Sequence, residues 1–300
     1  MEKLRKNSLY AVKGKIIPYV YQSPVILLLA LLMLLPIVMV IRYSLYDNVI
    51  MNQYPVFTGL KNYITVIRDE TFRISLVNTL YFTVMSVIFH LILGMIFALL
   101  LNSKNIPPVL RGLFRVFYII PWVFTATIIA IIWRLILNPN GVINYILQFA
   151  RLVTTNIEWF ASTGTALHAV TFVNIWAGYP FYMVSLLAGL QGVPEDLYEA
   201  ATIDGASEPR KFIAITVPQL MPIIVSISML DFIWTMQVFA LVWMTTGGGP
   251  IHVTEMLGTY TYKLAFSRYQ FSTASASAVI ILVISMTVAF FYIRHQKARN

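Results

Sequence analysis

The stretch from Val77 to Leu101, VNTLYFTVMSVIFHLILGMIFALLL, runs for 25 residues without an Asp, Glu, Lys or Arg. Crossing a hydrocarbon layer of roughly 30 Å takes about 20 predominantly apolar residues in a helix. The run is long enough to span a membrane and too long and continuous for a barrel strand. A helix also pairs its own N–H and C=O groups where no water can. Five further runs read the same way: Val25 to Ile41, Leu113 to Leu137, Ala166 to Leu190, Gln219 to Met244 and Ala274 to Ile293. The expected fold class is all-α, a polytopic membrane protein with six transmembrane helices.

Composition points the same way. Of the 300 residues, 59% are hydrophobic and 11% charged, with a mean hydropathy of +0.76. A soluble domain carries roughly 25% charged residues, so a soluble globular enzyme is excluded. With no cysteine there is no disulfide, thiolate zinc site or cysteine nucleophile to consider.

The net charge of +9 reads as topology rather than as a nucleic-acid footprint. With the N-terminus in the cytoplasm, 13 of the 21 Lys and Arg residues fall on inside segments, which the positive-inside rule favours. The first run follows Lys3, Arg5, Lys6, Lys13 and Lys15, as a secretory signal would. It continues past Pro36 with no small-residue cleavage site and is expected to be retained. The expected organisation is a cytoplasmic segment 1–24, a membrane domain 25–293 with a cytoplasmic loop 191–218, and a cytoplasmic tail 294–300.

That loop carries local order. Pro194 suits a first helical position, and Glu195 and Asp196 complement the positive end of the helix dipole. Gly205 is placed to end the helix in a left-handed cap, and Ser207 to cap a second short helix reaching Pro218. Ala200 and Ala201 give a small-residue surface that lets a partner come close to the backbone. The first helix is acidic, whereas a helix lying on a membrane surface is normally basic on its polar face. A docking element is the expected role.

The spacing Glu199-Ala200-Ala201, Gly205 three residues on, Ile215 nine further and Pro218 two beyond resembles the EAA loop of permease subunits in bacterial binding-protein-dependent ATP-binding-cassette importers. The resemblance covers most of the chain and points to the maltose-type, carbohydrate branch. It includes Gly59-Leu60-Lys61-Asn62-Tyr63, Asn78-Thr79-Leu80, Leu113-Phe114-Arg115 with Pro121, and Asn138-Pro139 with Gly141 and Asn144. Leu187-Ala188-Gly189-Leu190-Gln191 and Gly248-Gly249-Pro250 with Thr254 also match.

The resemblance implies a type I importer permease fold in the bacterial cell membrane. Its implied partners are a second homologous permease, two ATPase subunits that bind ATP and Mg, and an extracytoplasmic solute-binding protein. It also implies that Glu199, Ala200, Ala201, Asp204 and Gly205 form a coupling helix seated on the ATPase, and that the chain translocates a carbohydrate without bond chemistry or a cofactor of its own. In agreement, Gly14-Lys15 lacks the first glycine and the Ser or Thr of a phosphate loop.

The solute path is sought among intramembrane polar groups. An ionisable side chain at mid-membrane costs about 2.5–3.5 kcal/mol on insertion scales and tends to face protein or water. Asp231 is the acid so placed. Ser228, Asp231 and Thr235 share a helix face with Trp234 alongside. A carboxylate beside an aromatic ring suits a sugar, and pairing of Asp231 with a neighbouring helix is the alternative. Gln237 of the same helix and Asn174 and Tyr182 of the fourth, near Pro180, complete the candidate path; Ala240 departs from the acid many relatives carry after Phe239.

The run Thr246 to Pro250 reads as a flexible external turn. The histidines have no metal-ligand spacing, and His90 reads as a bonded interior side chain. Two rival functions follow from the same residues: an ion-coupled secondary transporter using Asp231, and an importer for glycerol phosphate or a polyol. A membrane-embedded enzyme lacks a nucleophile-base or metal constellation.

Overall fold

A computed structural model describes residues 17–47, 49–103 and 105–297. The basic residues from Lys3 to Lys15, Lys104 and Arg299, used above for orientation, lie outside the described residues. Helix α1 spans Ile17–Ser44. A two-stranded antiparallel ladder follows, β1 (Tyr46–Asp47) with β2 (Val56–Phe57). Then come α2 (Lys61–Arg68), α3 (Glu70–Asn102), α4 (Pro108–Val123), α5 (Ala126–Ile136), α6 (Val142–Phe149) and α7 (Ala166–Gln191). The chain continues with α8 (Glu195–Ile203), α9 (Glu208–Met236), α10 (Ala240–Thr245), α11 (Leu257–Tyr262) and α12 (Phe271–Lys297). Among the described residues, five helices are long and apolar enough to cross a membrane, and six spans result if the bent pair α4 and α5 is one.

Three expectations from the apolar runs are corrected. The run from Leu113 to Leu137 is two helices meeting at 100°. Pro121 removes a backbone donor near the end of α4, and Thr125 caps α5 by accepting the Ile128 N–H at 3.4 Å. The run from Gln219 to Met244 stops at Met236 and resumes at Ala240. Gly258 approaches there so closely that a Cβ on it would lie 3.0 Å from the Val238 carbonyl. Finally, the second short helix of the loop is continuous with α9. The residue turn Phe212–Thr216 widens to a π turn in which Val217 N–H reaches the Phe212 carbonyl, just before Pro218. The same pattern precedes Pro36, where Leu35 N–H bonds the Ala30 carbonyl. A proline cannot donate, and the helix answers with one wider turn instead of ending.

The described residues divide into two compact units, one holding those up to 66 with 264–280, the other those from 67 to 263 with those from 281 on. In the first, Asn62 is buried and donates its amide to the carbonyls of Ser44 and Tyr46, both at 2.9 Å, which fixes the chain as it leaves α1. In the second, α3 and α7 pack along their length, with buried Phe82, Ala98, Val173, Met183 and Leu186 between and around them.

The segment after α10 is not a flexible turn. Thr246 and Thr254 hydroxyls meet at 2.7 Å, and Asn78 of α3 donates to the carbonyls of His252 and Glu255 at 3.1 and 3.2 Å. Glu255 is fully buried, 2.5 Å from Lys263 Nζ and 3.2 Å from His252 Nδ1. A Cβ on Gly248 would fall 2.6 Å from its carboxylate. Removing one partner of a buried ion pair is strongly destabilising. Because Lys263 is 28% exposed, Lys263→Met is expected at the low end, about 3 kcal/mol, read as a lowered Tm of the purified protein. An unchanged Tm would mean that the pair contributes nothing.

Candidate functional site

Two glycines set the helix pair that carries the site. A Cβ on Gly94 of α3 would lie 2.3 Å from the Cβ of Tyr182, and one on Gly178 of α7 would lie 2.3 Å from His90 Nε2. Without those side chains α3 and α7 close up, as small residues allow in membrane helix pairs. His90 is thereby enclosed at 1% exposure.

Its Nε2 lies 3.0 Å from the Asn174 carbonyl and its Nδ1 2.8 Å from Asp231 Oδ2 on α9. A carbonyl only accepts, so Nε2 carries a hydrogen. On a neutral ring Nδ1 is then bare, and the contact with Asp231 needs one further proton, on the ring or on the carboxyl. Tyr182 donates its hydroxyl to the same oxygen at 3.0 Å, and Thr235 donates to Oδ1 at 2.9 Å. Asn174 in turn donates its amide to Ser86 at 2.9 Å. Three hydrogen-bonding side chains converge on one buried carboxyl group, which satisfies it where water is scarce.

A cavity of about 440 Å³ opens beside this network. His90, Asn174, Asp231 and Thr235 line it, together with the two places where the backbone is broken, around Phe124 between α4 and α5 and at Val238–Leu241 after α9. Irregular backbone at membrane depth is tolerated where it lines a cavity. Trp122 and Phe239 give it aromatic surface.

The expected path residues are therefore only partly brought together. Asn174, Asp231 and Thr235 line the cavity, and Tyr182 supports Asp231 from behind. Ser228 sits one turn before Asp231 on α9, its buried hydroxyl without a hydrogen-bond partner among the described residues. Trp234 is 57% exposed and packs at a tilt against Phe181, ring centroids 5.8 Å apart. Gln237 is an exposed residue at the end of α9. None of these last three lines the cavity: Ser228 lies a turn before Asp231, Trp234 leaves on another face of α9, and Gln237 follows the end of the helix. His90 and Trp122 were not foreseen as lining residues. Their placement depends on Gly178 and on the break after Pro121, signals that carry meaning only once α3, α4 and α7 are packed.

In the loop 191–218 the first helix ends at the glycine expected to end it, whereas Ser207 precedes the second without a side-chain cap bond. α8 ends in a Schellman turn: Ala206 N–H bonds the Ala201 carbonyl at 2.9 Å, Gly205 N–H bonds the Thr202 carbonyl at 3.0 Å, and Gly205 has φ +74°. Glu199, Ala200, Asp204 and Gly205 are exposed and Ala201 is half-buried. Ile203 is 87% exposed. The helix is tied to α9 by the Tyr198 and Thr216 hydroxyls, 2.9 Å apart. From Glu208 the backbone then runs helically to Asp231, about 35 Å at 1.5 Å per residue.

The model of the family described as "binding-protein-dependent transport system inner membrane component" matches residues 90–299. The chain is 33% identical to a probable ABC transporter permease protein of Brucella suis biovar 1, over 94% of this chain and 97% of that protein. It is 34% identical to the trehalose/maltose transport system permease protein MalF of Thermococcus litoralis, over 91% of each. Among solved structures, a chain of a bacterial ABC transporter involved in the import of the acidic polysaccharide alginate superposes with a TM-score of 0.82 at 20% identity, covering 97% of this chain and 99% of that one.

Proposed function

Because the chain belongs to the family of binding-protein-dependent transport system inner membrane components, we propose that it is the permease through which an ATP-driven importer moves a carbohydrate delivered by an extracytoplasmic binding protein. It is a transport subunit and not an enzyme. Membership of this family replaces the ion-coupled secondary transporter as a reading of Asp231. A second permease and two ATPase subunits complete the proposed assembly, with ATP and Mg bound by the ATPases and both termini of this chain in the cytoplasm. The carbohydrate reading is supported by the trehalose/maltose permease among its relatives. It is also supported by a cavity that offers aromatic faces and hydrogen-bonding groups and, among the described residues lining it, no Lys or Arg. A glycerol phosphate would call for such a cation.

The observation that carries the mechanism is continuity. An exposed helix with the Glu199-Ala200-Ala201 face is joined through one tight turn to α9, whose far end holds Asp231 and Thr235 at the cavity. In the proposed cycle, ATP-driven closure of the partners moves α8. The displacement passes through Gly205 into α9 and changes the cavity wall, exposing the solute alternately to either side.

The chain has no cysteine of its own, so Ala200→Cys gives a single reactive position. Cross-linking of that thiol to an ATPase subunit in the assembled importer, sensitive to ATP, is the expected result. Cross-links to other proteins alone would overturn the coupling assignment. At the cavity, Asp231→Asn is expected to change solute-stimulated ATP turnover while assembly persists. Wild-type stimulation across several sugars would remove Asp231 from the path.

A further inference from the structure

A second cavity, of about 520 Å³, lies away from the solute site. Its floor is Trp133 and Leu137 of α5 and Ala169 of α7, all buried, and its walls include Ile143 of α6, Trp159 and Phe172. Apart from the Trp133 indole, the polar side chains on it are engaged elsewhere. Thr165 donates to the carbonyls of Glu158 and Trp159 at 3.2 and 2.9 Å, His168 Nδ1 meets the Tyr81 hydroxyl at 2.8 Å, and the Trp159 indole donates to Asn144 at 3.2 Å. The Trp133 indole N–H is buried among rings, with Phe172 and Trp176 edge-on at 5.3 and 5.4 Å.

A sugar entering here would strip its many hydroxyls of water for at most one unpartnered donor, the Trp133 N–H, which is costly. Water is disfavoured for the same reason, since apolar cavities stay dry. The occupant must be apolar. The cavity reaches the outside of the chain along a candidate span: Phe172 is at once a wall and 51% exposed, two turns into α7. The neighbouring α6 carries exposed Val142, Tyr145, Ile146 and Phe149, the composition of a helix lying at the edge of the hydrocarbon layer. Tryptophans such as Trp133 and Trp159 also concentrate at that depth.

We propose that this cavity holds one acyl chain of a bilayer phospholipid, drawn in at the end of α7 between α5 and α6, as a bound lipid distinct from the exchanging annulus. The chain would complete the packing of Trp133 and Trp159 and so steady the outer ends of α5 and α7, whose other surfaces form the solute cavity.

The test uses the assembled importer in nanodiscs containing phosphatidylethanolamine with a diazirine at the end of one acyl chain. After irradiation, labelled residues are mapped by mass spectrometry. Labelling of segments 133–143 and 159–172 several-fold above the exposed stretch from Val283 to Phe291 is expected. Ile143→Trp, which fills the cavity from its wall, is expected to bring that labelling down to the level of the exposed stretch. Labelling of the wild type no higher than the exposed stretch overturns the proposal, and that measurement needs no variant. Equal labelling in folded Ile143→Trp overturns it too, as does a zero-length cross-link showing that a second permease covers the cavity. Because the readout is lipid attachment, it stands apart from the identity of the transported solute.

Discussion

Gly205→Val is expected to abolish the solute dependence of ATP turnover in the assembled importer while leaving its assembly intact. The cause lies in the backbone. A Cβ at position 205 would meet nothing within 4 Å, so there is no clash to relieve, but φ is +74°. A β-branched residue held there is strained by about 1–3 kcal/mol. The Schellman turn escapes that strain by opening, releasing the hydrogen bonds from Gly205 and Ala206 to Thr202 and Ala201. Asp204 to Ser207 then becomes a slack joint between α8 and α9, and movement of the first helix is no longer delivered to the second. The same reasoning ranks the replacements. Gly205→Asn, which tolerates the left-handed region, should retain most coupling, and Gly205→Ala should fall between. Equal activity of the Val and Asn variants would refute the backbone account, whatever the absolute loss.

The second large effect is expected at Gly178. Its replacement by Ala places a methyl group 2.3 Å from His90 Nε2 and 2.4 Å from Cε1. The imidazole has nowhere to retreat, since Asp231 holds its other nitrogen and the ring is 1% exposed. Either α3 and α7 separate or the contact with Asp231 breaks, leaving a buried carboxyl group short of one partner. Overpacking of this kind costs about 1–3 kcal/mol, and leaving a buried polar group unsatisfied adds about 1–3 kcal/mol. Thermal unfolding of Gly178→Ala should show the loss, together with weakened solute-stimulated ATP turnover. The distinguishing measurement is a double-mutant cycle. His90→Ala empties the space that the new methyl group needs, so the double variant should be much less unstable than the sum, with a coupling of about 1 kcal/mol or more. Simple additivity would mean that the two residues do not meet.

The spans were legible because hydrophobic length is a property of a contiguous stretch, and Val77 to Leu101 carries it without any tertiary knowledge. The capped helix Glu195–Ile203 was legible for a related reason. Pro194, its acidic first turn and Gly205 act within a few residues of one another, so local chemistry decides the outcome. Helix breaks were not legible where their cause is remote. Gln237–Phe239 contains neither proline nor glycine, and the feature that crowds it is Gly258, in another element. Pro218 misled in the opposite sense: it reads as a stop, yet a π turn absorbs its missing donor and α9 continues.

At the site, Asp231 and Thr235 could be joined from helical spacing alone. His90 could not be assigned to them, because 141 residues separate it from Asp231 and only the close approach at Gly178 brings it there. Trp234 was misplaced because a neighbouring position along the sequence does not fix which face of a helix a side chain occupies.

The asparagine hub at Asn78 imposes an order of assembly. This amide sits near the start of α3, and its acceptors are carbonyls 174 and 177 residues further along the chain. During biosynthesis α3 is made and inserted well before His252 and Glu255 have been synthesised. The Asn78 side chain must therefore find other partners until α9 and α10 have been delivered, and its two contacts close only after residue 255 has been made. A nascent chain arrested before residue 252 would hold its early spans with this end of α3 uncapped.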